Sequence, residues 1–390
     1  MALRSILSLF RWLYKVFMTW WQQWTGPVIT MDNGLQVRLG PQLAEGGFSF
    51  VFEATAVNSD DHPPPKYALK RIYCAADSEI RQASLQEAEV HRAVGDHPNV
   101  MKLEAFAKDR EYCYMLFPLC SHSLRQEVNR RTGIMDQYDD PPHSNHHSKS
   151  HMQQSARQGW ESEIQVLELF LKICQGVQAI HDSHYAHCDI KLENILLQTS
   201  STKKQAFSST LPWEPVLMDF GSAISPLRQR LESRHDCMNL VERASQHTTL
   251  PYRPPELLEG TLRPGQEVDF TKVDVWSLGC TLFAILIGAS PMELEFKSSG
   301  TPRIVECTTL RILNPQIPSP PTNYFGSSQI QYESTFGNTL IGPMLQQDPA
   351  ARPDLVSVIH TVQSMLQARG VSTTSTMDDG FADFAKSGFV

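Results

Sequence analysis

The fold is decided by one polar stretch, His187-Cys188-Asp189-Ile190-Lys191-Leu192-Glu193-Asn194, which leads into an apolar run at 195–197. It places a carboxylate (Asp189), an ammonium group (Lys191) and a carboxamide (Asn194) two and then three residues apart. Such groups can accept a proton, neutralise a phosphate and hold a divalent cation. A second carboxylate follows in Asp219-Phe220-Gly221, after an apolar segment. The two motifs in this order indicate a site for phosphate and metal chemistry more strongly than either motif alone.

The composition is that of a globular protein. The chain has 390 residues, of which 41% are hydrophobic, and this is enough for a large two-lobed domain with extensions. The net charge of -8 argues against nucleic acid as the main partner, because nucleic-acid binding usually requires a basic face. The 8 cysteines are scattered without metal-ligand spacing, so we expect reduced thiols in a cytoplasmic protein.

The region before the polar stretch predicts a small β-rich unit. Alternating residues predict strands from position 34, with a break at Gly40-Pro41. The glycine-containing segment 43–52 then predicts a strand–turn–strand hairpin whose tip can approach phosphates through backbone N–H groups. A further strand carries Lys70, and a helix is predicted over 77–94. On this helix Glu87 is the favoured ion-pair partner of Lys70, and Glu89 is the alternative.

Taken together, the motifs resemble those of eukaryotic protein kinases over residues 34–368. The resemblance extends to the segments 248–256, 274–279 and 348–353, and it implies an α+β, bilobal protein kinase fold. The small lobe is expected at 34–117 and the larger helical lobe at 121–368, with ATP and Mg²⁺ between them. Within the kinases the likeness is to the Numb-associated kinase family. It rests on the variant glycine loop 43–49 and on the segments 87–92, 215–219, 252–253 and 274–280.

The resemblance implies roles for the polar residues. Asp189 would orient the acceptor hydroxyl and take its proton, Lys191 would neutralise the γ-phosphate, and Thr249 would contact both. Asn194 and Asp219 would hold Mg²⁺. Lysine at position 191 is the pattern of enzymes that phosphorylate serine and threonine in proteins.

The resemblance also implies a nucleotide site. Lys70 would bind the α- and β-phosphates and would be held by Glu87. The residues expected to cover the phosphates or contact the adenine are Leu43, Gly46, Gly47, Phe48, Val51, Ala68, Leu119 and Leu196, with Phe117 at the inner end of the hinge. Ala44 and Ser49 stand where the kinase pattern has its first and third glycines, and both are small enough for close approach.

Cys188 stands where the kinase pattern has an arginine. That arginine normally receives an activation-loop phosphate. Its replacement predicts activity that is independent of phosphorylation at that site. Cys188 is interpreted as a small buried hydrophobic residue in preference to a redox sensor. The resemblance further implies a buried structural ion pair between Glu256 and Arg352.

Residues 1–25 predict a separate element. Over 2–24 the polar side chains, including Arg4, Arg11 and Lys15, fall within roughly a third of a helical wheel, and bulky apolar and aromatic residues fill the rest. No acid precedes Asp32. This pattern predicts a helix in a membrane interface, with mitochondrial targeting and packing on the kinase or a dimer contact as alternatives. Ala2 stands where N-myristoylation needs glycine. The family resemblance implies a cytoplasmic protein that is peripheral on Golgi or endosomal membranes and acts in vesicle traffic.

Two polar segments complete the sequence. The His- and Ser-rich stretch 131–160 predicts a disordered insert, with transition-metal binding as the less favoured alternative. The tail 369–390 places Phe381 and Phe384 among acids. It resembles peptides that bind the ear domains of clathrin adaptors, although a plain acidic tail is the alternative.

Two rival functions remain open from sequence. A membrane-anchored pseudokinase scaffold is suggested by the missing glycines and by Cys188. Phosphorylation of a lipid or small molecule is the other rival, but Thr249 and the segment 252–256 favour a protein acceptor.

Overall fold

A computed structural model describes residues 26–46, 49–57, 59, 61–74, 78–134, 159–199, 211–326 and 330–371. The expected N-terminal helix, most of the insert 131–160 and the tail with Phe381 and Phe384 lie outside the described residues. The same holds for Gly47 and Phe48 of the glycine loop.

The amino-terminal part forms one antiparallel sheet with the strand order β1-β2-β3-β4-β6-β5. Its strands are β1 (Val28–Thr30), β2 (Gln36–Glu45), β3 (Ser49–Ala56), β4 (Lys66–Tyr73), β5 (Ala105–Lys108) and β6 (Tyr112–Pro118). The predicted break at Gly40-Pro41 is wrong, because β2 continues through it. The pairing with β3 instead shifts register between Leu39 and Ala44, which is the usual accommodation of a proline that cannot donate a ladder hydrogen bond.

The turn between β1 and β2 reaches the opposite edge of this sheet. Asp32 N donates to Phe106 O at 2.9 Å, and Phe106 N donates to Asp32 Oδ1 at 3.0 Å. The sheet thereby curls around an apolar interior that includes Val37, Leu69 and Leu116, all 0% exposed. The small lobe therefore begins at β1 rather than at the predicted residue 34.

Helix α1 (Ser78–Val94) crosses the other face of the sheet, close to the predicted bounds 77–94. It packs through Ala88 against a cluster that contains Ile72, Cys113 and Met115. Because α1 lies on the face that carries Lys70, the acidic residue on its buried side can meet that lysine.

The carboxy-terminal part is mainly helical. Its helices are α2 (Leu124–Thr132), α3 (Glu163–Asp182), α4 (Arg234–His247), α5 (Phe270–Ile287), α6 (Thr309–Leu313), α7 (Gly342–Met344) and α8 (Leu355–Ala368), with a π-helix, Tyr332–Ile341, leading into α7. Its strands are β7 (His122–Ser123), β8 (Ile195–Thr199), β9 (Trp213–Leu217), β10 (Arg228–Arg230), β11 (Glu267–Asp269), β12 (Leu294–Phe296) and β13 (Pro302–Ile304). Strands β7, β8 and β9 form a small sheet beneath the lobe junction, and β10–β11 and β12–β13 form two-stranded ribbons.

Helix α5 is the central helix of this lobe. Of the described helices it is the one whose length and composition would allow it to cross a membrane, with a mean hydropathy of 1.5. However, 89% of that stretch is buried inside the molecule. Its apolar character is therefore accounted for by packing within the lobe.

The bounds predicted for the insert and the tail are too wide. Arg131 lies in α2 with its guanidinium 4.2 Å from the centre of the Trp160 ring, and Trp160 Nε1 donates to Ile285 O at 2.8 Å. Arg369 Nε donates to Glu163 Oε2 at 3.0 Å. These aromatic and ionic contacts attach both ends of the insert and the start of the tail to the packed lobe.

Candidate active site

The polar loop at 187–194 is held in place by a buried carboxylate of α5. Asp274 is 0% exposed, and its two oxygens accept hydrogen bonds from His187 N and Cys188 N, each at 2.8 Å. Asp274 Oδ2 also contacts His181 Nε2 at 2.8 Å. Since Cys188 adopts a positive φ of 63°, this pairing helps to stabilise a backbone conformation that non-glycine residues rarely adopt. These hydrogen bonds anchor the start of the loop to α5.

Asp189 lies at the centre of a network of four contacts. Its Oδ1 accepts from Thr249 N at 2.9 Å and from Thr249 Oγ1 at 2.8 Å. Its Oδ2 accepts from Lys191 Nζ at 2.7 Å and from Asn194 Nδ2 at 3.1 Å. Lys191 Nζ also donates to Thr249 Oγ1 at 2.6 Å. The structure therefore brings together the four residues that the sequence predicted to be catalytic, and it fixes the orientation of the carboxylate.

A second polar group joins the two lobes through Lys70. Its Nζ donates to Glu87 Oε1 at 2.7 Å and to Asp219 Oδ1 at 3.3 Å. Glu89, the alternative partner, is exposed on another face of α1. Burial lowers the pKa of Lys70, but the attraction of Glu87 and Asp219 outweighs it and leaves that pKa raised, so the ammonium stays charged. In turn, Lys70 lowers the pKa of Asp219, which stays ionised.

Asn194 and Asp219 offer oxygen ligands at adjoining positions. Met218 N donates to Asn194 O at 2.9 Å, which places the residue before Asp219 beside the loop. Asn194 Nδ2 contacts two oxygens of Asp189, so its Oδ1 is left for another partner. A carboxamide oxygen and an ionised carboxylate fit Mg²⁺, which binds few protein oxygens and keeps several waters. The described residues contain no cluster of three or more His, Cys, Asp or Glu side chains that could hold a metal ion.

The expected adenine contacts share one face of the small-lobe sheet. Val51 lies directly opposite Lys70, and Ala68 lies opposite Phe117, so all four side chains point to the same side. Leu119 and Leu196 are half-buried on the hinge and on β8, while Leu43 is 49% exposed at the rim. These placements are consistent with an apolar slot for a planar ring.

The tip of the β2–β3 hairpin depends on Gly46. Its N–H donates to Ser49 O at 2.7 Å, and a Cβ added at Gly46 would lie 3.1 Å from Ser49 Oγ. Gly46 and Ser49 therefore lie close together although position 49 is not a glycine. A small side chain there is compatible with the close approach expected at the phosphates.

An aromatic column that the sequence analysis missed supports the site. The His91 ring lies 4.5 Å from the Phe220 ring and 4.9 Å from the Phe117 ring, and His187 lies 5.4 Å from Phe220 on the other side. His91 Nδ1 is 2.8 Å from Met101 O, so this nitrogen carries the proton. Burial lowers the pKa of His91 to about 4, which keeps the ring neutral. Its spacing of four residues from Glu87 was the signal available in the sequence.

The segment between Asp219 and Glu256 contains a helix that the sequence analysis also missed. Helix α4 begins with a capping box in which Ser233 and Asp236 bond each other's backbone N–H. Its buried face, with Cys237 and Leu240, packs in one cluster with Cys188, which is 3% exposed. Burial raises the pKa of the Cys188 thiol, which fits a small hydrophobic residue rather than a redox sensor.

Two lobes of these kinds, joined at a junction that carries lysines, carboxylates and a carboxamide, define a protein kinase. The protein kinase domain family matches residues 37–363, and the chain belongs to that family. This confirms the predicted fold class.

The particular relatives are serine/threonine-protein kinases. Serine/threonine-protein kinase 16 of Rattus norvegicus is 30% identical over 83% of this chain and 88% of its own length. Its counterpart in Homo sapiens is 29% identical over the same shares. Serine/threonine-protein kinase ppk13 of Schizosaccharomyces pombe is 26% identical over 85% of this chain and 90% of its own.

Proposed function

We propose that this chain transfers the γ-phosphate of Mg-ATP to serine and threonine hydroxyls of proteins. The observation that carries the proposal is the Asp189 network, because a carboxylate held by Lys191, Asn194 and Thr249 is oriented for one incoming hydroxyl. A pseudokinase scaffold would need none of these contacts.

Each residue has a role in this reaction. Asp189 orients the acceptor hydroxyl and accepts its proton, while Lys191 neutralises charge on the transferred phosphoryl group. Lys70, kept charged by Glu87, binds the non-transferred phosphates. When Mg²⁺ is bound at Asn194 and Asp219, it screens the phosphate oxygens. Transfer through a loose transition state requires positioning and charge neutralisation, and these groups supply both.

Autophosphorylation of the purified full chain with Mg-ATP tests this proposal. We expect serine- and threonine-linked phosphate on the wild type, and at least about 100-fold less on Asp189→Asn and Lys70→Met. The control is Lys297→Met, because Lys297 is exposed on the β12–β13 hairpin far along the chain from the site. ATP binding without phosphorylation of the chain or of a generic peptide would favour the scaffold.

We further propose that the chain is peripheral on Golgi or endosomal membranes and belongs to the Numb-associated branch of the kinases. The support is the amphipathic, cationic and aromatic pattern of residues 2–24 and the variant glycine loop. Flotation of the full chain with phosphatidylserine vesicles, with Phe10→Asp plus Phe17→Asp as the variant, tests the membrane part. Equal flotation of both proteins would contradict it.

We also propose the tail as a ligand for an adaptor ear domain, because Phe381 and Phe384 stand among acids in 377–384. Binding of an ear domain to the full chain should be lost in Phe381→Ala plus Phe384→Ala. Unchanged binding by the double variant removes this proposal.

A further inference from the structure

Arg253 differs from the other buried arginines. The described part of the chain has four buried arginines: Arg125, Arg131, Arg253 and Arg352. Arg125 is 2.7 Å from a Glu193 oxygen, Arg131 is 2.7 Å from Glu127 and Arg352 is 2.7 Å from Glu256. Arg253 is 9% exposed, yet no carboxylate of the described residues pairs with it. A buried charge without a counter-charge is costly, so such a group calls for an explanation.

The contacts of Arg253 are with neutral oxygens. Nε donates to Thr248 Oγ1 at 2.6 Å, and Nη2 donates to Thr248 O at 2.8 Å. A guanidinium has five N–H donors, so Nη1 and one N–H of Nη2 are left for a further partner. A planar fork whose two terminal nitrogens both keep free N–H groups matches a carboxylate or a phosphate.

The charged and polar groups that face Arg253 do not neutralise it. They are the Asp189 carboxylate and the Cys307 thiol. Burial raises the pKa of Cys307 to about 11, so the thiol is uncharged at neutral pH. Asp189 is outside contact distance of Arg253, and its carboxylate already pairs with Lys191 Nζ at 2.7 Å.

Arg253 is connected to the site of the acceptor hydroxyl through Thr248 and Thr249. The side chain holds Thr248, and the next residue, Thr249, contacts Asp189 Oδ1 at 2.8 Å. The acceptor hydroxyl must reach Asp189. A peptide residue flanking the acceptor therefore passes the 248–253 segment, where the guanidinium still lacks an anion.

We propose that Arg253 forms a subsite for an acidic or phosphorylated side chain that directly flanks the acceptor serine or threonine. This inference rests on the proposed kinase function and names the class of peptide that the site selects. Arg253 is thus a specificity-determining residue, and the anion that completes its pairing arrives with the substrate.

The test uses serine peptides that carry Glu, Gln or phosphoserine immediately before or immediately after the acceptor. Both kcat/KM and the dissociation constant of the peptide with the ADP-bound full chain are measured, the latter by fluorescence anisotropy. At one of the two positions we expect Glu and phosphoserine to be preferred over Gln by about tenfold, as for a charge-assisted hydrogen bond. The preference should decrease only partly in 0.5 M salt, since buried or partly buried ion pairs are screened much less than exposed ones.

Variants then assign the preference to its residue. Arg253→Gln should abolish the ratio of Glu to Gln peptides, Arg253→Lys should retain part of it, and Arg228→Gln should leave it unchanged, because Arg228 is exposed and paired with Asp269. Equal binding of Glu and Gln peptides by the wild type, or a ratio that survives Arg253→Gln, would overturn the inference. If no peptide is phosphorylated, the kinase proposal fails. The ratio of the dissociation constants of the Glu and Gln peptides still tests whether Arg253 binds an acidic side chain.

Discussion

Glu87 determines how well Lys70 can serve the nucleotide. The carboxylate holds the ammonium at 2.7 Å and 3.0 Å, while Asp219 competes for it at 3.3 Å. In Glu87→Gln the lysine should shift toward Asp219 and occupy a ligand of Mg²⁺. We expect kcat/KM for ATP to fall about 10–100-fold, which corresponds to the loss of a charge-assisted contact.

The neighbouring acid supplies the control for this prediction. Glu89 lies on the same helix but is exposed. Glu89→Gln removes the same charge without touching Lys70, so steady-state kinetics should match the wild type. A similar loss in both variants would mean that net charge, not the ion pair, controls ATP use.

His91 makes stability depend on pH. Its pKa is lowered to about 4 by burial, below the ordinary value of 6.5, so the unfolded chain binds the proton first. Stability is therefore complete above about pH 6.5 and is lost as the pH falls toward 4, by at most about 1.4 kcal/mol per pH unit from this group. Urea unfolding of wild type and His91→Leu between pH 7 and 4.5 should show a shallower slope for the variant. His235→Leu, an exposed histidine on α4, should keep the wild-type slope.

Helix α4 lies in the segment 219–256, here called the activation segment, and offers a way to order it without a phosphate. Cys237 and Leu240 of α4 pack with Cys188 in one buried cluster, and β10 pairs with β11 just before α5. Apolar packing and a ribbon thus replace the arginine–phosphate pair that the kinase pattern provides.

The prediction at this scale is that activity does not depend on phosphorylation of the segment. Ser245 is exposed and donates only to Glu242 O, so Ser245→Ala and Ser245→Glu should keep kcat within about twofold of the wild type. Phosphatase-treated protein should also remain active toward a generic peptide. A loss of more than about tenfold in Ser245→Ala would show that a phosphate orders the segment after all.

Sequence reasoning succeeded where chemistry is local along the chain. Asp189, Lys191 and Asn194 lie within six consecutive residues, so their meeting needed no knowledge of distant packing. Arg253 and Trp160 show the opposite case, because their partners come from separate elements and their burial depends on the whole lobe. Helix α4 could have been found from its capping box, yet its mixed charges concealed the short apolar face. The roles assigned to Gly47, Phe48 and residues 2–24 stay predictions.

At the scale of the whole molecule, the Glu256–Arg352 pair joins the activation segment to the end of the large lobe. Arg352 Nη1 and Nη2 each lie 2.7 Å from one oxygen of the Glu256 carboxylate, and Arg352 is 2% exposed. Breaking such a buried pair typically costs about 3–5 kcal/mol, because one charge stays behind without a partner. For Glu256→Gln we expect the melting temperature to fall by roughly 10 °C.

Differential scanning fluorimetry of matched variants checks this expectation. Glu259→Gln removes an exposed acid three residues away, so it should melt within about 2 °C of the wild type. Equal melting of Glu256→Gln and wild type would show that the lobe tolerates an unpaired Arg352.

The same pair has a consequence for biosynthesis. Its two partners are 96 residues apart, with Glu256 emerging from the ribosome first. At about 5–20 residues per second, Glu256 is synthesised about 5–20 s before Arg352. A nascent chain therefore contains the catalytic loop 187–194 and Glu256 before the arginine that pairs with Glu256 has been made.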